Sequence, residues 1–157
     1  MADAAWRARL AERLGAVARC PRPAVSALAN ALSSRYEAAF REVGITNAQF
    51  TLLSAIGFVG EAPATALTQY VARDQTTLSR GIERLRARGW VRVVQPEEDR
   101  RVHLVSLTDE GVGVLDAAMD AWERVRAELD AVLGHATIER LIDESWAAKR
   151  ALDAADE

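Results

Sequence analysis

Apolar positions recur three or four residues apart through most of the chain, and the repeat shortens to two in a single stretch around residue 100. Trp6, Leu10, Leu14 and Val17 make the first helical stripe, with charged residues between them. "CPRP" at 20–23 interrupts it, because Pro21 and Pro23 each remove a backbone donor. A long second helix carries Val25, Leu28, Leu32, Tyr36, Phe40 and Val43 and stops near Gly44. Thr46 and Gln49 have the spacing of a capping box and open a third helix with Phe50, Leu53 and Ile56, which Gly57, Gly60 and Pro63 end. A short helix with Leu67 and Val71 follows. Asp74 is then the N-cap expected for "QTTLSRGIERLRARG", which closes at Gly89.

The period changes at "WVRVV" and "VHLVSL", two short β-branched runs with "QPEEDRR" as the turn between them. Thr108 caps the next helix, whose stripe runs Val112, Leu115, Met119, Trp122, Val125, Leu129 and Val132. Gly134 interrupts it, and Ile138, Leu141, Ile142 and Trp146 build a last helix. The predicted fold is therefore mainly α, with five helices, a two-stranded β-hairpin and two more helices. A lone two-stranded hairpin is not stable in water, so it must rest on the helices before it. The long terminal helices have apolar faces too large for a small central module to cover. Covering them with each other and with a second copy predicts a dimerisation region from 1–43 and 109–157, around a lobe at 44–108.

At 157 residues, half of them hydrophobic, the chain is expected to form one globular domain. Its apolar runs fall short of the roughly 18 residues of a membrane span, and charges break up the N-terminal segment where a secretory core would lie. A soluble cytoplasmic protein without a membrane partner is the expectation. Cys20 is the only cysteine, which rules out an intramolecular disulfide or a cysteine metal cluster. The net charge of −3 argues at first against nucleic acid, but its distribution reverses that reading. Residues 1–72, 73–108 and 109–157 carry +2, +3 and −8, so a modestly basic middle precedes an acidic end.

On a helix from Asp74 to Gly89, Leu78, Ile82 and Leu85 fall within about 60° of one another and form a buried stripe. Thr76, Arg80, Arg84 and Ala87 lie opposite, with Thr77 beside them. Short hydroxyls near a helix N-terminus, followed by arginines one and two turns on, suit entry into a DNA major groove. The same face also reads as an ordinary solvated surface, with Glu83 available for ion pairing. The short preceding helix and the following hairpin with basic residues favour a winged helix-turn-helix.

From Gly44 to Gly113 the motifs become specific: "GIT..Q", "DQTTLSR...LRARGWV", the hairpin "DRR" and "LTDEG" occur in this order over about 70 residues. In this the chain resembles the MarR family of bacterial transcription regulators. The resemblance implies a homodimer of winged helix-turn-helix lobes, joined by terminal helices and binding pseudo-palindromic operator DNA, more often as a repressor than as an activator. Gln75, Thr76, Thr77, Ser79 and Arg80 then start the recognition helix, and Arg84 extends its outer face. Asp99 and Arg101 occupy the family's D-x-R wing positions, where the arginine reaches a minor groove and the aspartate supports the wing; Arg100 is assigned to a phosphate.

The resemblance further implies a small phenolic or anionic effector held between the dimerisation region and the lobe. Tyr36, Phe40, Arg41 or Arg35, and Trp90 are the candidates, each aromatic also having a plain core role. Some relatives sense peroxide through a cysteine, which makes Cys20 a candidate redox residue and a peroxide-sensing repressor an alternative. Trp6 is similar, to a lesser degree, to the N-terminal tryptophan of urate-binding relatives. Catalysis would need Cys20 near His103 or His135, which fall on different elements. A metal held by Glu97, Glu98, Asp99 and His103 would lie open at a hairpin tip. No enzyme activity, cofactor or metal is expected, and a winged helix used only for protein contact is the remaining alternative.

Overall fold

The computed structural model describes residues 4–17, 19–71, 75–96 and 102–155. The chain divides into two compact units, Met1–Arg35 and Tyr36–Glu157. The division falls inside the second helix.

The first unit contains α1 (Ala4–Val17) and the first part of α2 (Pro21–Glu42). Backbone bonds from Arg19 N–H to the Ala16 carbonyl (3.1 Å) and from Cys20 N–H to the Val17 carbonyl (3.0 Å) finish α1. The two prolines do interrupt the helical pattern, yet they begin the next helix rather than occupying a loop. Within the first turn a backbone N–H has no intrahelical acceptor, so Pro21 and Pro23 cost no hydrogen bond there.

The second unit begins on the rest of α2. Gly44, at φ 77°, turns the chain out of that helix. The expected capping box then starts α3 (Asn47–Val59): Gln49 N–H donates to Thr46 Oγ1 at 3.2 Å and Thr46 N–H to Gln49 Oε1 at 2.9 Å. Glu37 of α2 accepts from Asn47 N–H at 2.8 Å, satisfying a further orphan donor at that helix start. Gly57 lies inside α3 rather than ending it. A Cβ there would stand 2.9 Å from Leu115 Cδ2, so its bare backbone admits the helix that follows the hairpin.

Ala62–Pro63 (β1) joins β2 (Val91–Val94) and β3 (Leu104–Leu107) in an antiparallel sheet of order β1-β3-β2. The sheet thus has three strands where the sequence pattern predicts two. Two residues carry no alternation to read, and Pro63 tolerates a strand position because β1 is at the sheet edge. The predicted short helix is a 3₁₀ segment, Ala64–Gln69, anchored by Leu67 and followed by buried Val71.

The recognition-helix candidate is α4 (Gln75–Ala87), and Asp74, its expected cap, lies outside the described residues. Thr108 caps α5 (Asp109–Leu133), and Gly134 separates it from α6 (His135–Ala155). Phe40, Leu53, Ile56, Leu67, Leu85 and Val105 are the largest fully buried side chains, so α2, α3, the 3₁₀ segment, α4 and β3 share one core. Ala118 and Ala121 of α5 complete it. Trp6, Leu14 and Val17 are exposed in the first unit, and Val132, Ile142, Trp146 and Leu152 in the second. The terminal helices therefore leave large apolar side chains uncovered within each unit.

Candidate nucleic-acid interface

One face of α4 is fixed by burial: Leu78, Ile82 and Leu85 are 3%, 5% and 0% exposed. Gly81 lets this face lie close on α3, since a Cβ there would come within 2.9 Å of Leu52 Cδ2. With that side buried, Thr76, Ser79, Arg80 and Arg84 are exposed on the remainder and Thr77 is half-buried. Gln75 opens the helix, its side chain lying outside the described residues.

Ion pairing separates the arginines of this helix. Arg86 binds Glu83 through two hydrogen bonds, at 2.8 and 3.1 Å, so the acid available to neutralise the outer face is engaged to one side. Arg80 and Arg84 have no carboxylate partner among the described residues. Their charge is available to a ligand. Beyond the helix, Gly89 at φ 75° reverses the chain, and Arg88 lies over the Trp90 ring with its Cζ 4.4 Å from the centroid.

The hairpin leaves the core at Val91 and pairs Arg92 opposite Ser106. These two partners also join through their side chains, Arg92 Nε donating to Ser106 Oγ at 2.8 Å. Glu61, just before β1, lies 3.5 Å from both groups and ties the edge strand to the hairpin. Sequence reasoning missed this three-residue clasp. Its signal is register, which opposes Arg92 and Ser106 once the hairpin is aligned. Gln95 and His103 meet at 3.4 Å farther out. Asp99, Arg100 and Arg101, together with Glu97 and Glu98, lie outside the described residues.

The effector candidates separate into different settings. Phe40 is fully buried and stacks on Phe50 (4.3 Å between centroids) and on Tyr36 (5.9 Å). Trp90 is also part of the core. Half-buried Tyr36 has its phenol pushed up from the usual value, chiefly by burial, with Arg126 opposing and Asp130 reinforcing the shift. Arg126 in turn binds Asp130 (3.4 Å) and Glu139 (2.7 Å), linking α5 to α6. Arg41 is exposed and lines a cleft of about 600 Å³ with Arg84 and Arg88. Cys20 is exposed immediately before α2, in the first unit, as Arg35 is within it. Among the described residues, no three His, Cys, Asp or Glu side chains gather as a metal ion would require.

Comparison with known proteins agrees with this arrangement. The family model described as MarR family matches residues 43–102, from the end of α2 into the hairpin. The HTH-type transcriptional repressor NicR of Pseudomonas putida is 37% identical over 73 residues, covering 46% of this chain and 46% of NicR; the match thus spans about half of that relative's length. The M. tuberculosis transcriptional regulator MOSR, solved in complex with DNA, is 30% identical with a TM-score of 0.71, over 85% of this chain and 98% of MOSR. Bordetella bronchiseptica BpsR, whose DNA binding is regulated by 6-hydroxynicotinic acid, is 26% identical with a TM-score of 0.67, over 80% of this chain and 98% of BpsR. The family-model match and the 30% identity to MOSR over nearly its whole length show that the chain belongs to the MarR family.

Proposed function

We propose that the protein is a ligand-responsive transcription regulator that binds a pseudo-palindromic operator as a homodimer, acting as a repressor in the cytoplasm. The observation that carries this reading is the outer face of α4, where Arg80 and Arg84 stand exposed, with no carboxylate partner among the described residues, while the opposite face is locked in the core. Such a helix presents long planar donors at fixed spacing, for a base edge at Arg80 and for base or phosphate at Arg84. Thr76, Thr77 and Ser79 serve the adjoining contacts. From the hairpin, Arg101 enters a minor groove, Asp99 supports it and Arg100 meets a phosphate.

The uncovered apolar side chains of α1, α5 and α6 support association with a second copy, which burial of such surface would drive. No helix among the described residues is long and apolar enough to cross a membrane. DNA binding by MOSR and control of BpsR by an aromatic acid make a small phenolic or anionic effector the class to test first. Tyr36, with Arg41 or Arg35, makes up the accessible part of the effector candidates.

The decisive experiment measures retention of the DNA upstream of the protein's own gene, with light scattering to give the mass of the complex. Saturable retention by a dimer, released by phenolic or nicotinate-like acids, is expected. No retention at low salt would replace this reading with a protein-contact module. Release by peroxide, lost in Cys20→Ser, would replace the effector with a thiol switch. In Arg101→Ala, a weaker and less salt-dependent complex is expected from an intact dimer.

A further inference from the structure

We propose that Arg41, Arg84 and Arg88 form a phosphate-gripping surface beside the recognition helix, taking the DNA backbone next to the groove that α4 enters. The inference rests on the DNA-binding reading and adds to it a second set of contacts, behind the base-reading face. The three side chains come from the end of α2, the last turn of α4 and the turn beyond it. They converge on one cleft of about 600 Å³, walled also by Gly44, Thr46 and Gln49. Three guanidinium groups gathered along one shallow cleft raise the local positive potential more than scattered arginines do.

Positive charge predominates in this cleft. Arg92, Arg124 and Arg126 of the same unit each have a carboxylate within 4.0 Å, at Glu61, Glu42 and Asp130 respectively, whereas Arg41, Arg84 and Arg88 have none among the described residues. Glu37 also lines the cleft and, accepting from Asn47 N–H at 2.8 Å, keeps its negative charge, so three guanidinium groups there face one carboxylate. Arg88 is moreover preorganised, since one guanidinium nitrogen donates to the Gly44 carbonyl at 3.0 Å while its plane rests over Trp90. Held in this way, it keeps further N–H donors for an oxyanion and loses less side-chain entropy on binding one.

Position selects a phosphodiester backbone as the occupant. Thr46, Gln49 and Arg84 also line a second cleft, of about 280 Å³, whose other wall includes Thr77 and Arg80 of the recognition face. The basic strip therefore runs without a break from the base-reading arginine to Arg41. Arg41 is on α2 and Arg88 follows α4, so neither belongs to the outer stripe of the inserted helix. Contacts there fix register and strength rather than sequence.

The test is a salt series on full-length parent, Arg41→Gln and Arg88→Gln, each against the operator and a scrambled duplex, with thermal melting as a check on folding. Each variant is expected to lower the slope of log affinity against log salt by about 0.9, and to weaken both duplexes by the same factor, roughly eightfold at 0.1 M salt. Among the described residues Arg41 has no side-chain partner to lose, so Arg41→Gln remains informative if Arg88→Gln melts early through loss of its Trp90 and Gly44 contacts. An unchanged slope in Arg41→Gln, with the parent still binding DNA, overturns the proposal. A loss confined to the operator overturns it too, by making Arg41 a base reader. Failure of the parent to bind any duplex rejects the DNA-binding reading itself.

Discussion

Gly111, in the first turn of α5, lies directly against the main chain of Trp90: a Cβ at Gly111 would stand 2.8 Å from the Trp90 carbonyl carbon and 3.2 Å from its Cα. The start of α5 is thereby joined to the residue that ends the recognition-helix turn. Backbone cannot swing aside as a side chain can, so Gly111→Ala is expected to destabilise the protein by about 1–3 kcal/mol, despite alanine's better helix propensity. Gly113, two residues on, has nothing within 4 Å of the same added atom. Gly113→Ala should therefore stabilise by roughly 0.5–1 kcal/mol. Urea unfolding at fixed protein concentration measures both, and a shift of the same sign in the two variants would contradict this account of the joint.

Thr108 completes the same joint. Its hydroxyl donates to the Gly89 carbonyl at 2.6 Å and accepts from Gly111 N–H at 3.0 Å, while its own N–H reaches the Trp90 carbonyl at 3.0 Å. Thr108→Val keeps the shape and the backbone bond but removes both side-chain bonds. A loss of about 1–2 kcal/mol is expected, with Thr108→Ser close to the parent. Equal losses in valine and serine would show that the methyl packing matters more than the cap.

Features set by local chemistry were legible in the sequence. Thr46 and Gln49 announce their helix because the capping box is a contact between residues three apart. Leu78, Ile82 and Leu85 announce the buried face of α4 because period alone places them together. What stayed hidden depends on distant partners. β1 exists only because β3 offers it an edge, and Ala62–Pro63 has no pattern of its own. Arg88 reads as one arginine among many until the fold brings Gly44, 44 positions away in the chain, to its guanidinium. The same holds for Phe40 and Trp90, whose aromatic chemistry fits an effector pocket or a core equally well until burial places them in the core.

Arg80 and Arg86 make opposite predictions from the same helix. Arg80 is exposed and has no carboxylate partner among the described residues, whereas Arg86 is held by Glu83 at 2.8 Å. Arg80→Ala is expected to relax base preference at one operator position and cost about 1–3 kcal/mol of binding there. Arg86→Gln breaks only an exposed pair worth roughly 0–1 kcal/mol of folding stability and should leave the selected motif unchanged. Selection from random duplexes distinguishes them; an altered motif from Arg86→Gln, or the parental motif from Arg80→Ala, contradicts the assignment.

Tyr36 gives the fold an alkaline sensitivity whose sign follows from its surroundings. Burial and Asp130 favour the neutral phenol, outweighing Arg126, so its folded pKa lies above the ordinary 10.0. The folded protein then holds this proton more tightly than the unfolded chain does. Its contribution is fully present below about pH 10 and is lost as pH rises from there through the raised folded value. The unfolding free energy of the parent should accordingly fall more steeply above pH 10 than that of Tyr36→Phe. Arg126→Gln removes the charge that favours phenolate and should move the Tyr36 titration higher still, as followed by the phenolate ultraviolet spectrum with Tyr36→Phe subtracted. Parallel stability profiles in parent and Tyr36→Phe, or a downward move in Arg126→Gln, would be incompatible with this account.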